Sequence, residues 1–137
     1  MSDHPTAIAS HRGGAFLWPE NSLSAFRQTA GLPLEQAECD VHPSAEGEPV
    51  VLHDATLDRT TDGLGPVAAL AVAEVRRHRV RGCGGEGVPL LSEMLAVLAA
   101  TPVAPRIEIK ADPAGHAYPG FVPRVLDVLD RRTMRGR

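Results

Sequence analysis

Ala37-Glu38-Cys39-Asp40-Val41 is a short strand-like run that carries two acids two residues apart. Side chains at that spacing share one face of a strand, so Glu38 and Asp40 point the same way. A second run, Arg106-Ile107-Glu108-Ile109-Lys110, repeats the pattern. Glu108 and Lys110 share one face, and Ile107 and Ile109 turn towards a helix layer. Charged side chains on the inner face of a sheet are costly unless a partner or ligand meets them.

Outward from these runs, short apolar segments alternate with helical patterns. Ala7–Ser10 reads as a first strand ending at His11, and Pro49–Leu52 as a third ending at His53-Asp54. Between the second and third strands, Ser44 to Glu48 reads as a turn. Asn21 and Ser22 are N-cap types, and Leu23, Phe26 and Ala30 form the apolar stripe of a helix stopped by Gly31 and Pro33. Ala68 to His78 reads as a second helix, Ser92 caps a third running to about Ala100, and a fourth runs from Pro119 or Phe121 to Arg131. Thr56–Pro66 and Gly82–Gly87 read as loops. The alternation predicts an α/β fold around about four parallel strands with flanking helices. Each of the four strands ends in an ionisable group: His11, Asp40, His53 and Lys110. In (β/α) barrels that is the end of the sheet where catalytic groups gather.

The chemistry of these residues is specific. If the two strands lie close, Glu38, Asp40 and Glu108 form an all-oxygen anionic cluster that needs a compensating cation. Hard oxygen ligands select Mg²⁺ or Ca²⁺. On pattern alone, pairing of Glu38 and Asp40 with arginines on a solvated surface stands beside that reading. Imidazole as a class can take up or give a proton near neutral pH, so the pair His11 and His53 can act as general base and general acid, although a lone histidine is more often structural. Arg12 and Lys110 could hold a phosphate, the first as a planar fork and the second as a compact charge. Lys110 is the one lysine against thirteen arginines. Gly82-Cys83-Gly84-Gly85-Glu86-Gly87 matches the letters of a dinucleotide-binding loop. Pro89 follows it and the helix starts only near Ser92, so no helix N-terminus meets the glycines as such a site requires.

Composition excludes several classes. A net charge of -3 favours neither nucleic acid nor a polybasic membrane anchor. No run approaches the ~20 apolar residues of a membrane span. Met1 to Thr6 lack a basic and apolar leader, so a cytoplasmic location is expected. Cys39 and Cys83 fit no disulfide or zinc spacing and read as free thiols. His4, His78 and His116 read as surface residues.

Taken together, the motifs resemble the glycerophosphodiester phosphodiesterases. His11-Arg12-Gly13 followed by Pro19-Glu20-Asn21-Ser22 is similar to the family's opening motif, and Glu38-Cys39-Asp40-Val41 to its acidic strand. Val50-Val51-Leu52-His53-Asp54 and Leu57-Asp58-Arg59-Thr60-Thr61-Asp62-Gly63 resemble its central block. Val88-Pro89-Leu90-Leu91-Ser92-Glu93 and Ile107-Glu108-Ile109-Lys110 resemble its later segments. The resemblance spans about Ala7 to Lys110. It implies a TIM-type barrel and metal-dependent hydrolysis of small-molecule glycerophosphodiesters to glycerol 3-phosphate and an alcohol. It also implies Glu38, Asp40 and Glu108 as ligands of Mg²⁺ or Ca²⁺, His11 and His53 as the acid/base pair, and Arg12 and Lys110 on the phosphate. At 137 residues the chain is short for a closed barrel, which typically takes about 250. Residues 1–137 are therefore expected to form a single domain, the N-terminal half of such a barrel. The expected partners are a second copy or a complementing C-terminal half, and the alternative is a truncated fragment that is not catalytic without that half.

Overall fold

The computed structural model describes residues 6–137. The leader-free reading of Met1 to Thr6 falls almost wholly outside these residues, as does His4. Among the described residues four strands form one sheet: β1 (Ala9–Ser10), β2 (Gln36–Pro43), β3 (Pro49–Val51) and β4 (Ala104–Ile109). Four α-helices accompany them: α1 (Leu23–Ala30), α2 (Val72–Val75), α3 (Leu91–Leu98) and α4 (Phe121–Arg131).

β2 is the axis of the sheet. β4 runs parallel to it in register from Gln36↔Ala104 to Val41↔Ile109. On the other edge, β1 pairs in parallel with Gln36 and Ala37, and β3 takes over from Val41 to Pro43. β3 runs antiparallel, which corrects the expectation of four parallel strands: the parallel set has three members, β1, β2 and β4. Turn length explains it. A parallel return needs a crossover of a dozen or more residues, and Ser44 to Glu48 supply five. The turn is closed by Ser44 N–H to the Glu48 carbonyl at 2.9 Å and by Glu48 N–H to Ser44 Oγ at 3.1 Å. The α/β partial barrel itself is as expected, with helices on one face of the sheet and an open inner face on the other.

The core follows the period of β2. Ala37, Cys39 and Val41 pack with Phe26 of α1, Leu91, Leu95 and Leu98 of α3 and Phe121 and Val125 of α4. Ile107 joins this layer from β4. A second cluster of Val50, Leu52, Leu57, Val67, Val75, Val80 and Val88 lies beneath the loops after β3. Cys39 is buried and Cys83 half-buried, and neither is bonded to the other. Gly13 lets the turn after β1 close on α1. Its φ is +74°, and a Cβ there would meet the Phe26 ring at 3.1 Å. Beside it, Trp18 lies over Gly14, where a Cβ would come within 2.8 Å of the indole.

Helix boundaries differ from expectation in two places. The second helix shrinks to a single 3₁₀ turn at Val67–Ala69 and the four residues of α2. Leu70 and Ala71 between them are extended, because remote partners take the backbone there: Ala45 N–H donates to the Leu70 carbonyl, and Val72 N–H donates to Glu46 Oε2. α3 begins two residues earlier than it would with Ser92 as cap: it starts at Leu91 with Leu90 in the cap position, where Glu93 Oε2 accepts the Leu90 N–H at 2.9 Å. Ser22 caps α1 as expected, its hydroxyl accepting the Ala25 N–H at 3.0 Å. No helix among the described residues is long and apolar enough to cross a membrane.

Candidate active site

β2 and β4 are adjacent and parallel with Asp40 opposite Glu108, so the two-residue period places all three acids on the inner face. One carboxylate oxygen from each of Glu38, Asp40 and Glu108 falls within 4.8 Å of the others. Glu38 and Asp40 are buried and Glu108 is exposed. The solvated-surface alternative therefore does not describe Glu38 or Asp40. Burial pushes the Glu38 carboxyl above its usual range, and the charges on Asp40 and Glu108 add to this, against the Arg12 N–H that donates to Glu38 Oε2 at 2.7 Å. Lys110 lowers Glu108 by donating to it at 2.9 Å.

Asp40 tests whether a cation fits. Asn21 Nδ2 donates to its Oδ2 at 3.0 Å, and Arg12 Nε stands 3.5 Å from the same oxygen. Its Oδ1 is buried with no hydrogen-bond partner among the described residues, and Lys110 Nζ lies 3.8 Å away. A buried carboxylate oxygen without a hydrogen bond is expensive. One aimed into a group of three acids fits a hard divalent cation. The donor set contains no sulfur or imidazole, which disfavours zinc and copper.

His53 sits just beyond β3. Its Nδ1 lies 2.8 Å from Asp54 Oδ1 and its Nε2 lies 3.4 Å from Lys110 Nζ. His11 follows β1 in a tight turn, exposed, and borders an open cleft of about 510 Å³ with Ala9, Glu38, Arg106, Ile107 and Glu108. The backbone around it is unusual. Arg12 and Asn21 both adopt left-handed conformations, with φ of 51° and 54°. They are tied together by the Asn21 N–H donating to the Arg12 carbonyl at 3.0 Å. Non-glycine residues hold such conformations when surrounding contacts over-determine them, as these contacts to Glu38 and Asp40 do.

All seven residues singled out in the sequence thus lie around one end of the sheet, and four more join them. Glu20 accepts from Arg12 Nη1 at 3.3 Å and from Arg59 Nη2 at 2.6 Å. Arg59 also donates to both oxygens of Asp54, at 2.8 and 3.0 Å. Asn21 completes the set. The Arg59 guanidinium holds the Glu20 and Asp54 carboxyls below their usual range. A closed ring of contacts results, from Asp40 through Arg12, Glu20, Arg59, Asp54, His53 and Lys110 back to Asp40. Arg12 is therefore shared between Glu20 and Asp40 and is not free for a phosphate alone. His42 is buried outside the ring. Its Nε2 donates to the His53 carbonyl at 2.9 Å, its Nδ1 faces the Tyr118 hydroxyl at 3.0 Å, and burial lowers its pKa.

Known proteins share this fold and much of this sequence. Residues 11–134 match the model of the glycerophosphoryl diester phosphodiesterase family. Glycerophosphodiester phosphodiesterase 1 of Bos taurus is 39% identical over 123 residues, 85% of this chain and 36% of its own. A solved structure from Agrobacterium tumefaciens assigned to the same family has a TM-score of 0.94 at 39% identity, over 98% of this chain and 54% of that one. An Oleispira antarctica phosphodiesterase, solved with the product sn-glycerol-3-phosphate, has a TM-score of 0.81 at 26% identity, over 93% of this chain and 53% of that one. The chain spans about half the length of these structures and 36% of the bovine relative. Its folded residues and its matched motifs agree: the chain belongs to the glycerophosphoryl diester phosphodiesterase family.

Proposed function

We propose that the chain carries the catalytic face of a metal-dependent hydrolase that cleaves glycerophosphodiesters to glycerol 3-phosphate and an alcohol. The observation that carries the reading is the convergence of Glu38, Asp40 and Glu108 within 4.8 Å around an unpartnered buried oxygen, with His53 reached through Lys110. The Oleispira antarctica complex with sn-glycerol-3-phosphate supports the substrate class.

Glu38, Asp40 and Glu108 would hold Mg²⁺ or Ca²⁺. When bound, the cation supplies positive charge to offset that growing on the non-bridging oxygens. His53 acts as the base. Asp54 accepts from Nδ1–H, which leaves the Nε2 lone pair to take the proton of the attacking glycerol hydroxyl. As the new P–O bond forms, the bond to the alcohol breaks, and His11 delivers a proton to the departing oxygen. Water then opens the cyclic phosphate, with the two histidines exchanging roles. Lys110 stabilises phosphate charge from the inner face, and Arg12 does so while fixing Glu38 through its own N–H.

Incubation of the purified chain with glycerophosphocholine and Mg²⁺ or Ca²⁺ tests this. Release of glycerol 3-phosphate is expected, with loss on chelation and on His11→Ala. A second reading follows from the half-length coverage: the chain is inactive alone and gains activity when a C-terminal half is added. No release under either condition, together with no calorimetric binding of Mg²⁺ or Ca²⁺, overturns the proposal.

A further inference from the structure

His53 has partners on both ring nitrogens, and both demand the same tautomer. Asp54 Oδ1 at 2.8 Å is an ionised acceptor, so Nδ1 carries the proton. Lys110 Nζ at 3.4 Å has only protons to offer, so Nε2 carries the lone pair. Free neutral imidazole prefers the opposite form, so something must hold the ring against that preference.

Asp54 is adjacent in sequence to His53 and lies on a loop, where a carboxylate is free to turn. Arg59 removes that freedom. It grips both oxygens of Asp54 through Nε and Nη2, and both oxygens of Glu20 through Nη1 and Nη2. Glu20 is itself fixed by Arg12, whose N–H is bound to Glu38. Exposed ion pairs contribute little stability as a rule, and Arg59 is about half exposed. A guanidinium forked across two carboxylates still imposes orientation.

We infer that Arg59, anchored by Glu20, is a positioning residue that sets the tautomer and orientation of His53 through Asp54. The inference rests on the role of His53 as proton acceptor proposed above. It also ties the turn after β1 to the loop after β3, so the cation-side and base-side halves of the site share one rigid link.

Nitrogen NMR of ¹⁵N-histidine-labelled full chain tests it without turnover, with His53 assigned by His53→Gln. At a pH where the ring is neutral, His53 is expected mainly as the Nδ1–H form. Arg59→Gln is expected to move it towards Nε2–H, Arg59→Lys to recover part of the shift, and Glu20→Gln to give a smaller shift of the same sign. In a preparation that hydrolyses glycerophosphocholine, Arg59→Gln is expected to lower kcat roughly tenfold with KM little changed. A wild-type ring already in the Nε2–H form overturns the inference. So does an unchanged tautomer in folded Arg59→Gln, or in Glu20→Gln should the first variant not fold. Lack of hydrolysis by wild type counts against the proposed activity alone, and the tautomer still decides the positioning role.

Discussion

β2 and β4 are neighbouring parallel strands with similar alternation, yet they live in different surroundings. β2 has partners on both edges, and seven of its eight residues are buried. β4 is paired on one edge among the described residues, and half of its six residues are exposed. Ile109 stands 38% exposed beside a groove that also includes Leu126 and Leu129 of α4. The three acids are divided between these settings: Glu38 and Asp40 are desolvated, whereas Glu108 is exposed and pairs with Lys110. A carboxylate pair on a buried strand gives the site its position, and the third acid, on an open strand, keeps it in contact with solvent. An exposed edge with apolar side chains is also the usual place where further chain or a second molecule adds on.

Truncation on the buried strand should separate the two most clearly. Val41→Ala removes two carbons from a fully buried position and should cost about 2 kcal/mol, read as a lower urea midpoint at unchanged slope. A cost near zero would mean that β2 is not the axis of the core.

Acid should act next, on the ring that begins at Asp40 within β2. Glu20 and Asp54 ionise more readily in the folded chain than their usual values of 4.5 and 3.8. As pH falls through those values the unfolded chain takes up protons first. Their contribution is therefore whole at neutral pH, declines below about pH 4.5 and is spent once both protonate in the fold. Urea midpoints measured from pH 7 to pH 3 should fall, and should fall less in Arg59→Gln, which has already lost the pairing. Equal slopes in the two proteins would dissolve the ring as a source of stability.

The smallest effect belongs to the open strand. Ile109→Ala should stay within about 0.5 kcal/mol of wild type, as changes at exposed positions do. A loss close to that of Val41→Ala would show that the β4 face is covered in solution, and size-exclusion chromatography at two concentrations would identify self-association as the cover.

Much of this was legible beforehand. A period of two residues sufficed to put Glu38 and Asp40 on one face, because a strand leaves side chains no other choice, whereas Glu108 joins them through the register that sets it opposite Asp40. The direction of β3 was equally legible, since five turn residues exclude a parallel return, but the alternation of apolar runs with helical patterns invited a uniform parallel sheet. The break between the 3₁₀ turn and α2 was not legible. Its cause is a pair of hydrogen bonds from Ala45 and to Glu46, about 25 residues upstream. The ring through Glu20 and Arg59 was hidden for the same reason, its two members being 39 residues apart. Their letters stood within recognised motifs, and only the fold shows that they meet.

Trp18 is the only tryptophan in the chain, and it lies across Gly14 in the segment that carries His11, Arg12 and Glu20. Indole emission thus reads out this one segment, whereas helix content reads the layer built on Phe26, Leu95 and Phe121. Opening of the segment that carries His11 and collapse of the packed layer can be timed independently in a single unlabelled sample.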